Sequence, residues 1–140
     1  MYKMHIFILL SVLALANCNK KTDTPIEPAI IAQDLTGTYE GYKHFNKSTV
    51  DSTPVLLKLS KISESEMTIE EVKPFNHTMR IRLTGLNFVY NGGNGESQCG
   101  VIKTDGTGNF SGGKLYLLST TRCVEGNGPD VFIEYRAVKK

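Results

Sequence analysis

Apolar and polar side chains alternate along most of the chain after residue 34, and this period of two constrains the fold more than any other feature. Met79, Ile81 and Leu83 fall on one face of a predicted strand, with Arg80 and Arg82 on the other. Successive side chains of a strand point to opposite faces, so the pattern predicts strands that are buried on one side. The same alternation recurs in residues 55–60, 67–70 and 131–138.

Turn-forming residues separate these segments. Tight turns need residues that accept positive φ angles, and the sequence predicts them at Asn91–Gly95, Asp105–Gly106, Ser111–Gly113 and Gly126–Pro129. No segment beyond residue 34 has a helical stripe of period 3.6. The predicted strands are 35–45, 54–62, 66–72, 78–84, 86–91, 97–103, 107–110, 114–121 and 130–138. We therefore expect an all-β fold, an antiparallel up-and-down meander of about eight to nine strands that forms a barrel or a flattened sandwich.

The N-terminus has a different character. Ile6–Ala16 is a run of eleven residues, apolar apart from Ser11, that follows Lys3 and precedes a polar stretch beginning at Asn19. A helix of that length spans only about half of a bilayer's hydrocarbon core, which is too short for a transmembrane segment. A buried core helix is the alternative. The layout predicts a cleaved signal peptide over residues 1–17.

The residues at the end of the leader, Leu15–Ala16–Asn17–Cys18, resemble the lipobox of bacterial lipoproteins. The resemblance implies that Cys18 becomes the lipidated first residue of the mature protein. Two or more acyl chains hold a protein on a bilayer without a spanning segment. Residues 18–33 are polar apart from a few isoleucines and contain Pro25 and Pro28. We expect this lipidated N-terminus to be a flexible tether, and residues 34–140 to form one domain with one core.

Cysteine use fits an exported protein. Lipidation of Cys18 accounts for one of the three cysteines and leaves Cys99 and Cys123 as an even pair. In an oxidising compartment such a pair predicts a disulfide, which would add about 3.5 kcal/mol in the chain-entropy model. Two separate buried thiols are the alternative.

Two segments carry a second resemblance. Leu35–Gly41 reads LTGTYEG, a first strand that opens with Gly-x-Tyr just after a tether, and Gly106–Leu115 reads as a glycine-rich hairpin before a long strand. Both resemble segments of the small lipocalin-like lipoproteins of Bacteroidota. The resemblance implies a lipocalin-like barrel in the cell envelope, anchored to the outer membrane, and it carries over no functional residues.

Side chains for chemistry are sparse. Of the sixteen Lys and Arg only Lys3 lies in the leader, so fifteen remain against fourteen Asp and Glu, which gives no case for nucleic acid. His44 and His77 lack the close spacings of structural zinc sites, so we expect no metal and no cofactor. Ser111 lies one position away from a Gly-x-Ser-x-Gly elbow and falls in a predicted hairpin. We expect no catalytic residue.

What remains is binding. The first predicted strand carries Tyr39 and Phe45 on one face and Tyr42 on the other, and such rings could line an apolar cavity if the barrel stays open. The sequence thus favours a non-enzymatic envelope lipoprotein that binds a small apolar ligand, or a protein or glycan partner. The alternative is an accessory subunit of an outer-membrane assembly with no small ligand. A continuous cavity above about 300 Å³ favours the ligand, and a filled core with an exposed apolar patch favours a docking partner.

Overall fold

The structure is a computed structural model that describes residues 34–48 and 50–140. It is an all-β closed barrel in which eight antiparallel strands follow one another in chain order and the last pairs with the first. The strands are β1 (Gly37–Phe45), β2 (Ser52–Lys61), β3 (Glu66–Lys73), β4 (His77–Thr84), β5 (Asn87–Ser97), β6 (Gly100–Ser111), β7 (Lys114–Cys123) and β8 (Val131–Lys139). The predicted fold class is confirmed. The predicted leader 1–17, Cys18 and the tether 18–33 lie outside the described residues.

Alternation sorts side chains between the interior and the surface. Met79, Ile81 and Leu83 of β4 are buried, whereas Arg80 and Arg82 are exposed. β5 and β6 contribute one buried side chain each, Phe88 and Phe110, and apolar side chains from every strand meet in one core. The core side chains that are almost fully buried include Tyr39, Leu57, Met67, Ile69, Met79, Ile81, Leu115 and Leu117. Within the described residues, no helix is long and apolar enough to cross a membrane.

Closure of the barrel depends on a close approach between β1 and β8. A Cβ atom built on Gly41 would lie 1.9 Å from the backbone oxygen of Arg136 and 2.5 Å from the Cα atom of Ala137. Only glycine tolerates such contact with neighbouring backbone. Gly108 of β6 has a similar role, because its missing side chain leaves room for the ring of Phe88.

Two predicted turns are wrong, and their residues lie inside strands. Asn91–Gly95 continues β5, and Asp105–Gly106 joins the two segments predicted as separate strands into β6. The glycines of these two segments allow a bulge in β5 and a close contact between β6 and β7 instead of turns. The β5–β6 register shifts between Asn91 and Gly93, as in a bulge, and the backbone of Gly106 packs against β7. The strand number is therefore eight.

The two ends of the barrel differ. We call the base the end that holds residues 34–36, the C-terminus and the β2–β3, β4–β5 and β6–β7 turns. The rim is the opposite end, with the loops 46–51, 74–76, 98–99 and 124–130. The buried Leu35 packs on the core from the base, and its carbonyl oxygen accepts a hydrogen bond from the hydroxyl of Tyr39, at 3.1 Å.

Candidate functional site

The candidate site lies inside the barrel towards the rim and centres on two charged side chains. Lys43 follows Tyr39 and Gly41 on the inward face of β1, and Glu71 follows Met67 and Ile69 on the inward face of β3. Lys43 is 3% exposed and Glu71 is 0% exposed. Since charged residues are almost never fully buried unless they are paired, this position calls for a specific partner.

The partners are present. Lys43 Nζ lies 2.6 Å from Glu71 Oε1, and the hydroxyl of Tyr135 on β8 donates a hydrogen bond to Glu71 Oε2 at 2.9 Å. The ring nitrogen Nδ1 of His77, which begins β4, is 3.6 Å from the same Oε2 atom. We call Lys43, Glu71, His77 and Tyr135 the Glu71 cluster. It brings together residues of β1, β3, β4 and β8.

Aromatic rings surround the ammonium group of Lys43. Its Nζ atom lies 4.7 Å from the ring centre of Phe75, 5.5 Å from that of Phe45 and 5.9 Å from that of Tyr135. Each distance is within the range of a cation–π interaction. Phe75 belongs to the short β3–β4 loop, and its ring is 64% exposed although the lysine beside it is buried. The ring therefore stands between Lys43 and the solvent at the rim.

Burial changes the acidity of the tyrosines near this cluster. Burial, and after it the negative charge of Glu71, raises the pKa of Tyr135 far above its usual value. Burial also raises the pKa of Tyr90. Both phenols are therefore neutral over the physiological range, and Tyr135 uses its proton to hold Glu71.

A β-bulge separates the Glu71 cluster from the outer face. The β2–β3 register shifts between Leu56 and Leu57, which face Lys73 and Glu71, so Val72 is the extra residue. Glu71 points inward, and Val72 and Lys73 are exposed. The alternation of β3 places the carboxylate of Glu71 inside the barrel, and the bulge leaves the apolar side chain of Val72 outside.

An apolar groove of about 640 Å³ lies on the outer face beside this bulge. It follows β1 between β2 and β8. Its residues are Glu40, Gly41, Tyr42, Pro54, Val55, Leu56, Lys73, Val138, Lys139 and Lys140. Tyr42 and Val138 are half exposed within it, and Lys140 Nζ is 2.6 Å from Glu40 Oε2. We call this surface the β1 groove.

The structure brings together one pair of the predicted residues. Cys99 and Cys123 form a disulfide, as predicted, which links the β5–β6 loop to the end of β7 at the rim. Tyr39 is buried in the core and Tyr42 is outside, as the alternation of β1 predicts. Cys18, the predicted lipidation site, is not among the described residues.

The side chains considered for catalysis or metal binding remain apart. Ser111 is exposed at the end of β6, and His44 and His77 lie on different strands. Among residues 34–48 and 50–140, no three His, Cys, Asp or Glu side chains converge on a point that could hold a metal ion. Hydrogen bonding by Arg80, at 2.6 Å, lowers the pKa of Glu66 on the outer face.

Comparison with known proteins yields a partial structural similarity. No family model and no curated protein matches the chain. The barrel is similar to the crystal structure of a candidate outer membrane protein from Bacteroides fragilis, with a TM-score of 0.44 and 15% sequence identity over 80% of this chain. The chain spans about half the length of that protein, since the match covers 53% of it.

Proposed function

We propose that the protein is a lipid-anchored lipoprotein of the bacterial cell envelope that acts without catalysis. In this proposal the leader 1–17 is removed, Cys18 carries the acyl chains, and residues 18–33 connect the outer membrane to the barrel. The barrel binds an acidic segment of a protein partner in the β1 groove, as an accessory subunit of a larger envelope assembly would.

The proposal that the barrel binds a protein partner rests on one observation: side chains fill the barrel interior. Leu57, Met67, Ile69 and Leu117 occupy its middle with no exposed surface. The Glu71 cluster occupies the space towards the rim, where the charges of Lys43 and Glu71 satisfy each other. A small apolar ligand would have to displace these side chains, whereas the β1 groove is open to a partner without any rearrangement.

Charge and shape suggest what the partner presents. Three lysines flank the apolar floor of the groove, namely Lys73, Lys139 and Lys140. The acidic residue of the groove, Glu40, is paired with Lys140. An extended segment that carries apolar residues and carboxylates would complement both features. The strands of the groove are already paired with each other, so side chains rather than a new backbone ladder would make the contacts.

Site-specific photocrosslinking in cells that express the protein tests the groove. A photoreactive residue in place of Tyr42 should capture one protein through a peptide rich in Asp and Glu. The same residue in place of the exposed Thr107, on β6, should not. The double change Lys73→Glu and Lys140→Glu should lower the yield at position 42 by about tenfold, because it removes the complementary charge. Equal capture at positions 42 and 107, or capture that ignores the charge reversal, would contradict the proposal.

A separate experiment tests the anchor. We expect the mass of the wild-type protein to exceed that of its 18–140 polypeptide by acyl groups, and the protein to sediment with membranes. Cys18→Ser should abolish the acyl mass. An unmodified Cys18 in membrane-bound wild-type protein would overturn the lipoprotein assignment and leave the groove proposal standing.

A further inference from the structure

The turns at the base expose apolar side chains at their tips. Ile62 in the β2–β3 turn is 46% exposed, and Leu86 in the β4–β5 turn is 49% exposed. The turns lie at one level, since backbone hydrogen bonds join Leu83 to Ser65 and Phe110 to Leu86. Two apolar tips therefore project from the same end of the barrel.

Lysines surround these tips. Lys61 precedes Ile62, Lys114 follows the β6–β7 turn, and Lys139 and Lys140 end the chain beside them. Within the described part of the chain, no salt bridge joins Lys61 or Lys114 to a carboxylate. Lys139 donates a hydrogen bond to the backbone oxygen of Asp34, so its ammonium group also lies at the base.

Carboxylates are fewer at the base than at the rim. Exposed acidic side chains at the base are Asp34, Glu64 and Glu40, which pairs with Lys140, whereas the rim carries Asp51, Glu96, Glu125 and Asp130. The barrel is therefore polarised along its axis, with positive charge and exposed apolar tips at the same end. Basic residues next to exposed apolar side chains are typical of surfaces that bind anionic bilayers.

The chain also enters the barrel at the base. Residues 1–33 precede Asp34, whose backbone oxygen is held by Lys139. Fifteen residues lie between Cys18 and Asp34, and the extended length of this segment is at most about 55 Å. An anchor at Cys18 therefore keeps the base within reach of the bilayer. The rim is the end of the barrel opposite the point where the segment from Cys18 joins it.

We propose that the base of the barrel rests on an anionic phospholipid surface. Lys61 and Lys114 meet the headgroup phosphates, and Ile62 and Leu86 insert at the level of the headgroups. The orientation rests on the proposed anchor at Cys18, whereas the contact rests on the base alone. The β1 groove, which runs up the side of the barrel, stays accessible to a protein partner in this orientation.

Amine labelling on vesicles tests the contact. The full-length expressed and processed protein is reconstituted on vesicles of phosphatidylcholine, or of phosphatidylcholine with phosphatidylglycerol. A reagent that does not cross membranes modifies lysines, and mass spectrometry gives the rate at each site. Lys61 and Lys114 should react at least about threefold more slowly on the anionic vesicles, and high salt should remove the difference. Lys47 and Lys103, at the rim side, should react equally on both.

A pair of charge-reversal variants provides the matched control. Lys61→Glu with Lys114→Glu should remove the protection of Lys139 on anionic vesicles, and Lys47→Glu with Lys103→Glu should leave it in place. Equal labelling of Lys61 and Lys114 on the two vesicle types would overturn the proposal, and so would slowing of Lys47 and Lys103 to the same degree. Retention on neutral vesicles reports the anchor separately. If the protein is not retained on neutral vesicles, the protection of Lys61 and Lys114 by an excess of anionic vesicles at low salt still tests the contact.

Discussion

Glu71 carries a buried carboxylate whose two oxygens both have partners, Lys43 on one side and Tyr135 on the other. Taking two charges out of water costs several kcal/mol per ion, and their attraction offsets this only when geometry and additional hydrogen bonds are good. The rings around Lys43 add favourable contacts to its ammonium group. The cluster therefore acts as a unit in which the loss of one member leaves another unsatisfied.

Lys43→Met should destabilise the barrel strongly, by about 3–5 kcal/mol, because it leaves the carboxylate of Glu71 buried without its counter-charge. The double variant Lys43→Met with Glu71→Leu should recover most of the loss. Urea unfolding of the two single variants and the double variant measures the coupling. As a matched control, Arg136→Met removes the exposed pair with Glu134 and should cost less than about 1 kcal/mol. Additive effects of the two cluster substitutions would contradict the interpretation of the pair.

Tyr135 gives the cluster a dependence on pH. Its pKa is raised in the folded state, so the unfolded chain loses the phenolic proton first as pH rises. The stabilisation is complete below the unfolded pKa of about 10 and falls as pH increases beyond it. The free energy of unfolding should therefore decrease more steeply above pH 10 in the wild type than in Tyr135→Phe. At pH 7 the variant should be about 1–2 kcal/mol less stable, because Glu71 loses a hydrogen bond. Parallel curves for the two proteins would rule out Tyr135 as the titrating group.

The sequence contains part of the information needed for this cluster. The alternation of β1 places Lys43 on the face of Tyr39, and that of β3 places Glu71 on the face of Ile69. Both positions can be read as inward-facing from the sequence. Their meeting cannot, because β2 lies between β1 and β3, and the two side chains approach each other across the interior of a closed barrel. Local pattern gives the face of a residue and not its partner across the core.

At the scale of the strands, closure between β1 and β8 depends on one residue without a side chain. Gly41→Ala would place a methyl group 1.9 Å from the backbone oxygen of Arg136, and backbone cannot yield as a flexible side chain can. We expect a loss of at least about 2–3 kcal/mol in the free energy of unfolding. Gly95→Ala is the matched control, since its Cβ would meet Ile102 at an ordinary 3.5 Å. It should change stability by less than about 0.5 kcal/mol in thermal unfolding. A tolerated Gly41→Ala would show that β1 and β8 can separate at little cost.

Strand limits were predictable where apolar residues alternate and ambiguous where glycine occurs. The segments 78–84 and 114–121 agree closely with β4 (His77–Thr84) and β7 (Lys114–Cys123). Asn91–Gly95 was predicted as a turn, but it bends β5 through a bulge in which the side chain of Asn91 accepts a hydrogen bond from the backbone of Gly93, at 3.0 Å. Glycine suits turns, bulges and close backbone contacts alike, so only the assembled sheet distinguishes them.

At the scale of the whole molecule, the core, the β1 groove and the base occupy different places on the barrel. The interior is occupied, the β1 groove lies on the side, and lysines with apolar tips lie at the base. The proposed functions use different parts of this surface: the base for the membrane and the side for a protein. Lys139 and Lys140 border both surfaces, so each function is removed separately only through residues of its own, Lys73 for the groove and Lys61 with Lys114 for the base.

The occupied interior leads to a prediction for the intact protein. A ligand that binds the folded state raises the melting temperature in proportion to the logarithm of its concentration. We expect a medium-chain fatty acid to leave the melting temperature of the wild type unchanged up to the solubility of the acid. Leu117→Ala should open an apolar cavity, cost about 2–5 kcal/mol, and gain stability on addition of benzene, as dry engineered cavities do. Leu117 is fully buried. Lys114→Ala at the exposed start of the same strand should gain nothing. A fatty acid that stabilises the wild type would instead favour an interior ligand and argue against the docking function.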